Sequence, residues 1–163
     1  MFSTPIRSVV HPVLVGLALA AALPAGAQPQ AGPGLRSGEQ VYRETCFACH
    51  ESGVARAPRV GDRAAWAPLI AEGLPMLSGH AWVGLRAMPP KGGNPDLTLT
   101  EFARGVVFMA NQSGAEWKDP DAATMRRVLK EAERRMDLFI REAEAAKRDL
   151  RRQREALHRA GGR

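Results

Sequence analysis

Cys46-Phe47-Ala48-Cys49-His50 is the stretch from which the rest of this chain is read. Two thiols at i and i+3, followed at once by an imidazole, form the C-x-x-C-H signal for covalent attachment of a c-type haem. Cys46 and Cys49 supply one thioether per vinyl edge of the porphyrin, and His50 supplies an axial imidazole to the iron. A zinc site would need four protein ligands, and the chain has no third cysteine and only His11, His80 and His158 besides His50. A dithiol redox motif wants a strand ahead of it, and nothing before Cys46 reads as one. A structural disulfide would leave the histidine without a purpose.

Upstream, Arg7 precedes an apolar run from Val9 to Leu23 that ends in Ala25-Gly26-Ala27. That is the form of a secretory signal, with cleavage expected after Ala27. His11 and Pro12 interrupt the run and leave it shorter than the ~20 residues of a membrane-spanning helix, which is the competing reading. Export to the periplasm agrees with the motif, because bacterial c-type haem is attached outside the cytoplasmic membrane. The expected organisation is a signal over residues 1–27, a Pro/Gly/Ala-rich leader over 28–35, a haem domain over 36–114, a linker over 115–123 and a charged helix over 124–160. A domain of under eighty residues buries little surface by itself and needs a staple, which a covalent haem at its centre would supply.

The net charge of +6 is unevenly placed. Residues 28–116 carry eight basic and eight acidic side chains, whereas residues 117–163 carry fourteen and nine. The basic character belongs to the tail. No nucleic-acid-binding motif or aromatic platform accompanies it, so nucleic acid is not an expected partner.

Within the domain, Ser37-Gly38-Glu39-Gln40 has the form of a capping box. The helix after it places Tyr42, Cys46, Cys49 and His50 at i, i+4, i+7 and i+8, on one face. Asp62 reads as the N-cap of a second helix through Trp66 to Gly73, and Pro75 opens a third through Leu77 to Leu85. Thr98-Leu99-Thr100-Glu101 is a second capping box, opening a helix with Phe102, Val106 and Met109 on one face. The expected fold class is all-α. For a second axial ligand the candidates are Met76, Met88, Met109, Met125, Met136, His80 and His158. Met76 and Met109 fall in helical apolar patterns, where methionine usually fills core. Met88 precedes Pro89-Pro90, in a segment held extended, and is the favoured ligand. Trp66 is a candidate for the haem pocket, packing on the ring or reaching a propionate through its N–H, although most such aromatics are simply core.

Ser37 to Gly114 resembles the short bacterial class I cytochromes c, and among them the cytochrome c5 group. The resemblance is carried by Val41-Tyr42, the C-x-x-C-H itself, Ala57-Pro58, Gly61-Asp62 with Trp66, Met88-Pro89-Pro90-Lys91-Gly92-Gly93 with Asp96-Leu97, and Val106 to Met109. It implies a haem wrapped by helices with the first and last crossing, thioethers at Cys46 and Cys49, axial ligation by His50 and Met88, and Pro58 beside the proximal histidine. Some members of the group carry an extra cysteine pair that is absent here. Gly105 stands inside the last helix, where it either permits a close crossing or weakens the helix by ~1 kcal/mol relative to alanine.

The tail lies outside that resemblance. Met125, Leu129, Ala132, Met136, Phe139, Ala143, Ala146, Leu150, Gln153 and Leu157 are spaced by alternating fours and threes, the heptad seam of a left-handed coiled coil. Glu131–Arg135, Asp137–Arg141, Glu144–Arg148 and Glu155–Arg159 are helix-supporting pairs. The expectation is self-association, most simply as a parallel dimer. A lone helix, or one folded back on the haem domain, is the other reading.

These observations point to a periplasmic carrier of one electron on a single covalent haem, working between a protein donor and a protein acceptor. The alternatives are a haem subunit tethered by its tail to a larger redox complex, and a gas-binding or catalytic haem with a displaceable Met88. The last lacks a distal acid unless His80 serves. The basic tail could also meet an anionic membrane surface.

Overall fold

The computed structural model describes residues 34–161, so the expected signal segment and the first part of the leader lie outside it. The described residues are helical, with no strand longer than a single bridge between Leu85 and Met88.

Helix α1 (Gly38–Val41) begins at Ser37, whose hydroxyl accepts a hydrogen bond from Gln40 N at 3.2 Å. It passes directly into a π turn, Tyr42–Cys46, and then into α2 (Phe47–His50). The wider turn shifts the helical phase of α2. Tyr42, Cys46 and His50 are buried and Cys49 is exposed. Asp62 caps α3 (Arg63–Glu72) through Ala65 N at 3.1 Å, as expected. α4 (Leu74–Val83) starts one residue before Pro75 and stops at Gly84, whose φ of 97° no other residue adopts cheaply. Thr98 and Glu101 form the reciprocal capping box of α5 (Leu99–Gln112).

The first and last helices of the domain cross closely, and two glycines permit it. A Cβ on Gly38 would collide with the backbone carbonyl of Arg104, and one on Gly105 would lie 2.8 Å from Val41 Cγ1. Gly105 is therefore a contact point, and its helix-weakening cost is offset by the crossing. Around this junction Val41, Tyr42, Cys46, Trp66, Leu74, Leu97, Phe102, Val106, Met109 and Ala110 make one core. Arg36 closes the edge: its backbone and side chain both donate to Glu101 Oε1, at 3.2 and 3.0 Å. That pairing, with Thr98, holds the buried Glu101 carboxyl far below the usual carboxylate range.

Within the expected linker, residues 115–123, several residues are bonded to the domain. Asn111 acts as a peptide mimic across the turn, donating to Trp117 O and accepting from Trp117 N, both at 2.8 Å. Ala115 and Trp117 pack on the core. Arg104, itself buried, grips Asp119 with two nitrogens at 2.9 Å. The chain then enters α6 (Ala122–Gly161), capped by Asp121 through Thr124 N at 2.7 Å.

The first half of α6 belongs to the haem domain. Val128 and Ala132 are buried in its face, and a Cβ on Gly79 of α4 would press against Glu131 at 2.7 Å. Beyond Phe139 every residue except Asp149 is exposed up to Gly161. At 1.5 Å per residue that half projects roughly 30 Å from the domain. The heptad seam is thus divided: its Met125–Ala132–Phe139 column turns toward the domain, while Leu129 and Met136 remain half-exposed. Over its first half, the folded-back reading of the tail is the one the structure adopts.

Candidate functional site

The site is built on α2 and on two loops. Cys46 and Cys49 are both free thiols, one buried and one at the surface. Burial, and secondarily the neighbouring Cys49, push the Cys46 thiol up to about 12. His50 is buried, and its Nδ1 lies 2.9 Å from the carbonyl of Pro58. A carbonyl can only accept, so Nδ1 carries the proton and donates. Nε2 is left as the free lone pair, with no hydrogen bond to any described residue.

The 53–61 loop that supplies this acceptor is itself tied down. Val60 N donates to His50 O at 2.8 Å, and Arg59 Nε to Glu51 O at 3.2 Å. Trp66 Nε1 donates to Arg59 O at 2.8 Å. Its indole N–H is therefore spent on the loop and is not held free for a propionate, while the ring sits 6.4 Å from that of His50. Gly61 N donates to Ser113 Oγ at 3.0 Å, and that hydroxyl donates in turn to Met109 O at 2.7 Å. Ser113 is fully buried and joins the histidine's loop to the end of α5. Sequence reasoning missed it, because a serine near a helix end reads only as a cap.

Met88 stands in a second constrained loop. Leu85 N donates to Met88 O at 3.1 Å and Met88 N to Leu85 O at 2.9 Å, closing a tight turn. The thioether side chain packs partly buried against the core. Behind it Lys91, Gly92 and Gly93 all take positive φ. Lys91 reaches Pro95 O at 2.9 Å and lies over the Trp82 ring at 4.9 Å. Asn94 Nδ2 donates to Thr45 Oγ1 at 3.1 Å, fastening this loop to the residue before Cys46. Among the described residues, the non-glycine positive-φ positions are Ala55, Arg56, Arg86 and Lys91. All four lie in the two loops that flank the site, where backbone strain of order 1–3 kcal/mol each is tolerated because the surroundings over-determine the geometry.

The other candidate ligands have other occupations. His80 sits at the junction of α4 and α6, its Nε2 2.8 Å from Glu131 Oε1. Met109 is buried inside α5, and Met76 and Met136 lie at the surface. His158 lies in the exposed end of α6.

The C-x-x-C-H residues fit a covalent haem, with Met88 as a further candidate donor. They offer two unbonded thiols one helical turn apart and an imidazole with its outer nitrogen free, and Met88 a thioether held by a turn. No group of three or more His, Cys, Asp or Glu side chains among the described residues is arranged to hold a bare metal ion.

Comparison with known proteins agrees. Residues 33–109 match the family described as cytochrome c oxidase, cbb3-type, subunit III. Cytochrome c-555 of Chlorobaculum thiosulfatiphilum is 41% identical over 81 residues, spanning 47% of this chain and 94% of its own. Cytochrome c5 of Azotobacter vinelandii is 42% identical over 81 residues, spanning 48% and 98%. A chain from the crystal structure of an electron transfer complex of nitrite reductase with cytochrome c is 39% identical. It covers 52% of this chain and 99% of its own, with a TM-score of 0.47. The chain belongs to the class I c-type cytochromes of the c5 and c-555 kind, haem c proteins of electron transfer. The family match ends at residue 109, before α6 begins.

Proposed function

We propose that this protein is a periplasmic one-electron carrier, with Cys46 and Cys49 as the thioether positions and His50 and Met88 as the two axial ligands. When bound, the haem supplies the one-electron couple, and a thioether ligand favours its reduced state relative to a second imidazole. The protein's own residues supply orientation. His50 is held by Pro58, and the Pro58–Gly61 segment by Trp66 and Ser113. Met88 is held by its turn with Leu85 and by the Asn94–Thr45 bond. The proton on Nδ1 is fixed by the Pro58 carbonyl, which directs Nε2 to a metal. Were His50 and Met88 both to hold the iron, no open site would remain for a substrate, and the work left would be electron exchange with a donor and an acceptor protein.

The observation that carries this reading is that the positive-φ strain among non-glycine residues collects in the two loops bearing Pro58 and Met88. Met88→Ala tests it in haem-loaded protein. We expect a high-spin ferric spectrum, loss of the thioether-to-iron absorption band and a lower reduction potential. An unchanged low-spin spectrum with that band intact would assign the ligand elsewhere. Export is supported by the signal-like residues 1–27 and by the C-x-x-C-H motif. Among the described residues no helix is long and apolar enough to cross a membrane.

The projecting half of α6 is read as an assembly element, because it holds Leu150 and Leu157 at 66% and 73% exposure. Deleting residues 141–163 should reduce the native size of the cytochrome in extracts of its own periplasm without changing its spectrum. An unchanged native size would refute this part.

A further inference from the structure

Five of the ten exposed large apolar side chains among the described residues lie on α6: Leu129, Met136, Ile140, Leu150 and Leu157. At 3.6 residues per turn, Leu129, Met136 and Ile140 share one side of the helix, roughly a quarter turn round from the Val128–Ala132 side that packs on the haem domain. The apolar column slips back by about 20° in each heptad, so Ala143, Leu150 and Leu157 continue it down the projecting half. All of these positions are exposed, and by Leu150 and Leu157 the column has come round to the side that Val128 and Ala132 occupy in the first half, where the haem domain has ended.

We infer that the partner of this column is a second copy of the same helix, in parallel and in register. This names the occupant within the reading of the projecting half as an assembly element. The charges beside the column choose the orientation. With Leu150 at position a, the g positions of the projecting half hold Glu142 and Asp149, and the e positions hold Lys147 and Arg154. In a parallel pair each g faces the next e of the partner, giving Glu142 opposite Lys147 and Asp149 opposite Arg154 of the other copy. In an antiparallel pair g faces g and e faces e, so acid would meet acid and base would meet base. In the single chain Asp149 is occupied by Arg152 at 2.7 Å and Gln153 at 2.6 Å, both exposed contacts that exchange at little cost for the inter-helix pair.

Two neighbouring sides of α6 then have different clients. One side of the first half holds its own haem domain, and the open column holds the other copy. A parallel pair places both haem domains at the same end of a shared stalk, so that two one-electron centres arrive at a partner together.

The test uses the full-length, haem-loaded protein. Sedimentation over a wide concentration range should show one chain mass passing to two. The double variant Leu150→Glu with Leu157→Glu should remain at one mass throughout, with its visible spectrum unchanged. Leu157→Cys should form an interchain disulfide on mild oxidation, since a position meets its own counterpart only in a parallel, in-register pair. A wild type that stays at one mass at every concentration overturns the proposal. So does a dimer indifferent to the double variant, or one in which Leu157→Cys fails to cross-link. The periplasmic size shift on deletion of residues 141–163 is read separately: if it occurs while the purified protein stays at one mass, the assembly reading survives and the second copy does not.

Discussion

The two halves of α6 share one heptad pattern and have opposite surroundings. In the first, Val128 is fully buried and Ala132 nearly so; in the second, Leu150 and Leu157 are mostly in solvent. Spacing alone does not separate them. What separates them is the available partner: α4 offers Gly79, a gap that a longer side chain would fill, just where Glu131 and Ala132 arrive. Arg104 and Asp119 fix the approach of the chain to that gap. A heptad seam states that an apolar surface wants covering, and the nearest complementary surface covers as much as its own length allows. The domain runs out at about Phe139.

The sharpest way to break this contrast is to put a charge into the docked half. Val128→Asp would bury an unpaired carboxylate and should destabilise the holoprotein by about 4 kcal/mol, with loss of the α6 contact to α4. Thermal unfolding followed in the haem absorption measures it. A loss under 1 kcal/mol would mean that the first half of α6 is not part of the domain.

Gly105→Ala probes the domain's own crossing. The added methyl would press on Val41 Cγ1 at 2.8 Å and stand 3.9 Å from Cys46 Sγ. About 2 kcal/mol of destabilisation is expected, despite the better helix propensity of alanine. A stabilised variant would mean that the helices are not in close contact there.

Acid should act on the domain and its docked helix, and much less on the projecting half. The Glu101 carboxyl is held low by Arg36 and Thr98, and that of Glu131 by Arg134 and, to a lesser extent, His80. A carboxyl depressed in the folded state contributes stability above its unfolded value near 4.3, and that contribution is lost as pH falls below it. Melting temperatures measured from pH 6 down to pH 3 should decline, and Glu101→Gln should flatten the decline. An equal slope in the variant would remove Glu101 from the account.

The smallest effect belongs to the far end of α6. Leu157→Asp should leave the unfolding of the haem domain within about 0.5 kcal/mol of wild type, because its side chain lies far along the projecting half and touches nothing in its own domain. A larger loss of domain stability would show that the projecting half folds back after all.

The signals from which the candidate site was read are local. C-x-x-C-H, the Pro-flanked Met88 and the capping residues Asp62 and Thr98 are short-range signals, each legible within a few residues. Trp66 was legible as important but not in its role, because the Arg59 carbonyl that takes its N–H is positioned by a loop rather than by any periodicity. Ser113 was not legible at all: it meets Gly61 across 52 residues of chain.

The order of residues was enough for the cofactor chemistry, the all-helical class and the helix starts, because thiol spacing, capping and apolar period act over one or two turns. It also determined that α6 would be a long helix with one apolar side. It took the folded molecule to show that the Gly38 and Gly105 positions are a crossing, that Trp117 and Asp119 are bonded to the domain, and that the seam of α6 is shared between its own domain and open solvent. Those outcomes depend on which surfaces meet in space, and packing complementarity between distant segments leaves no periodic mark on the chain.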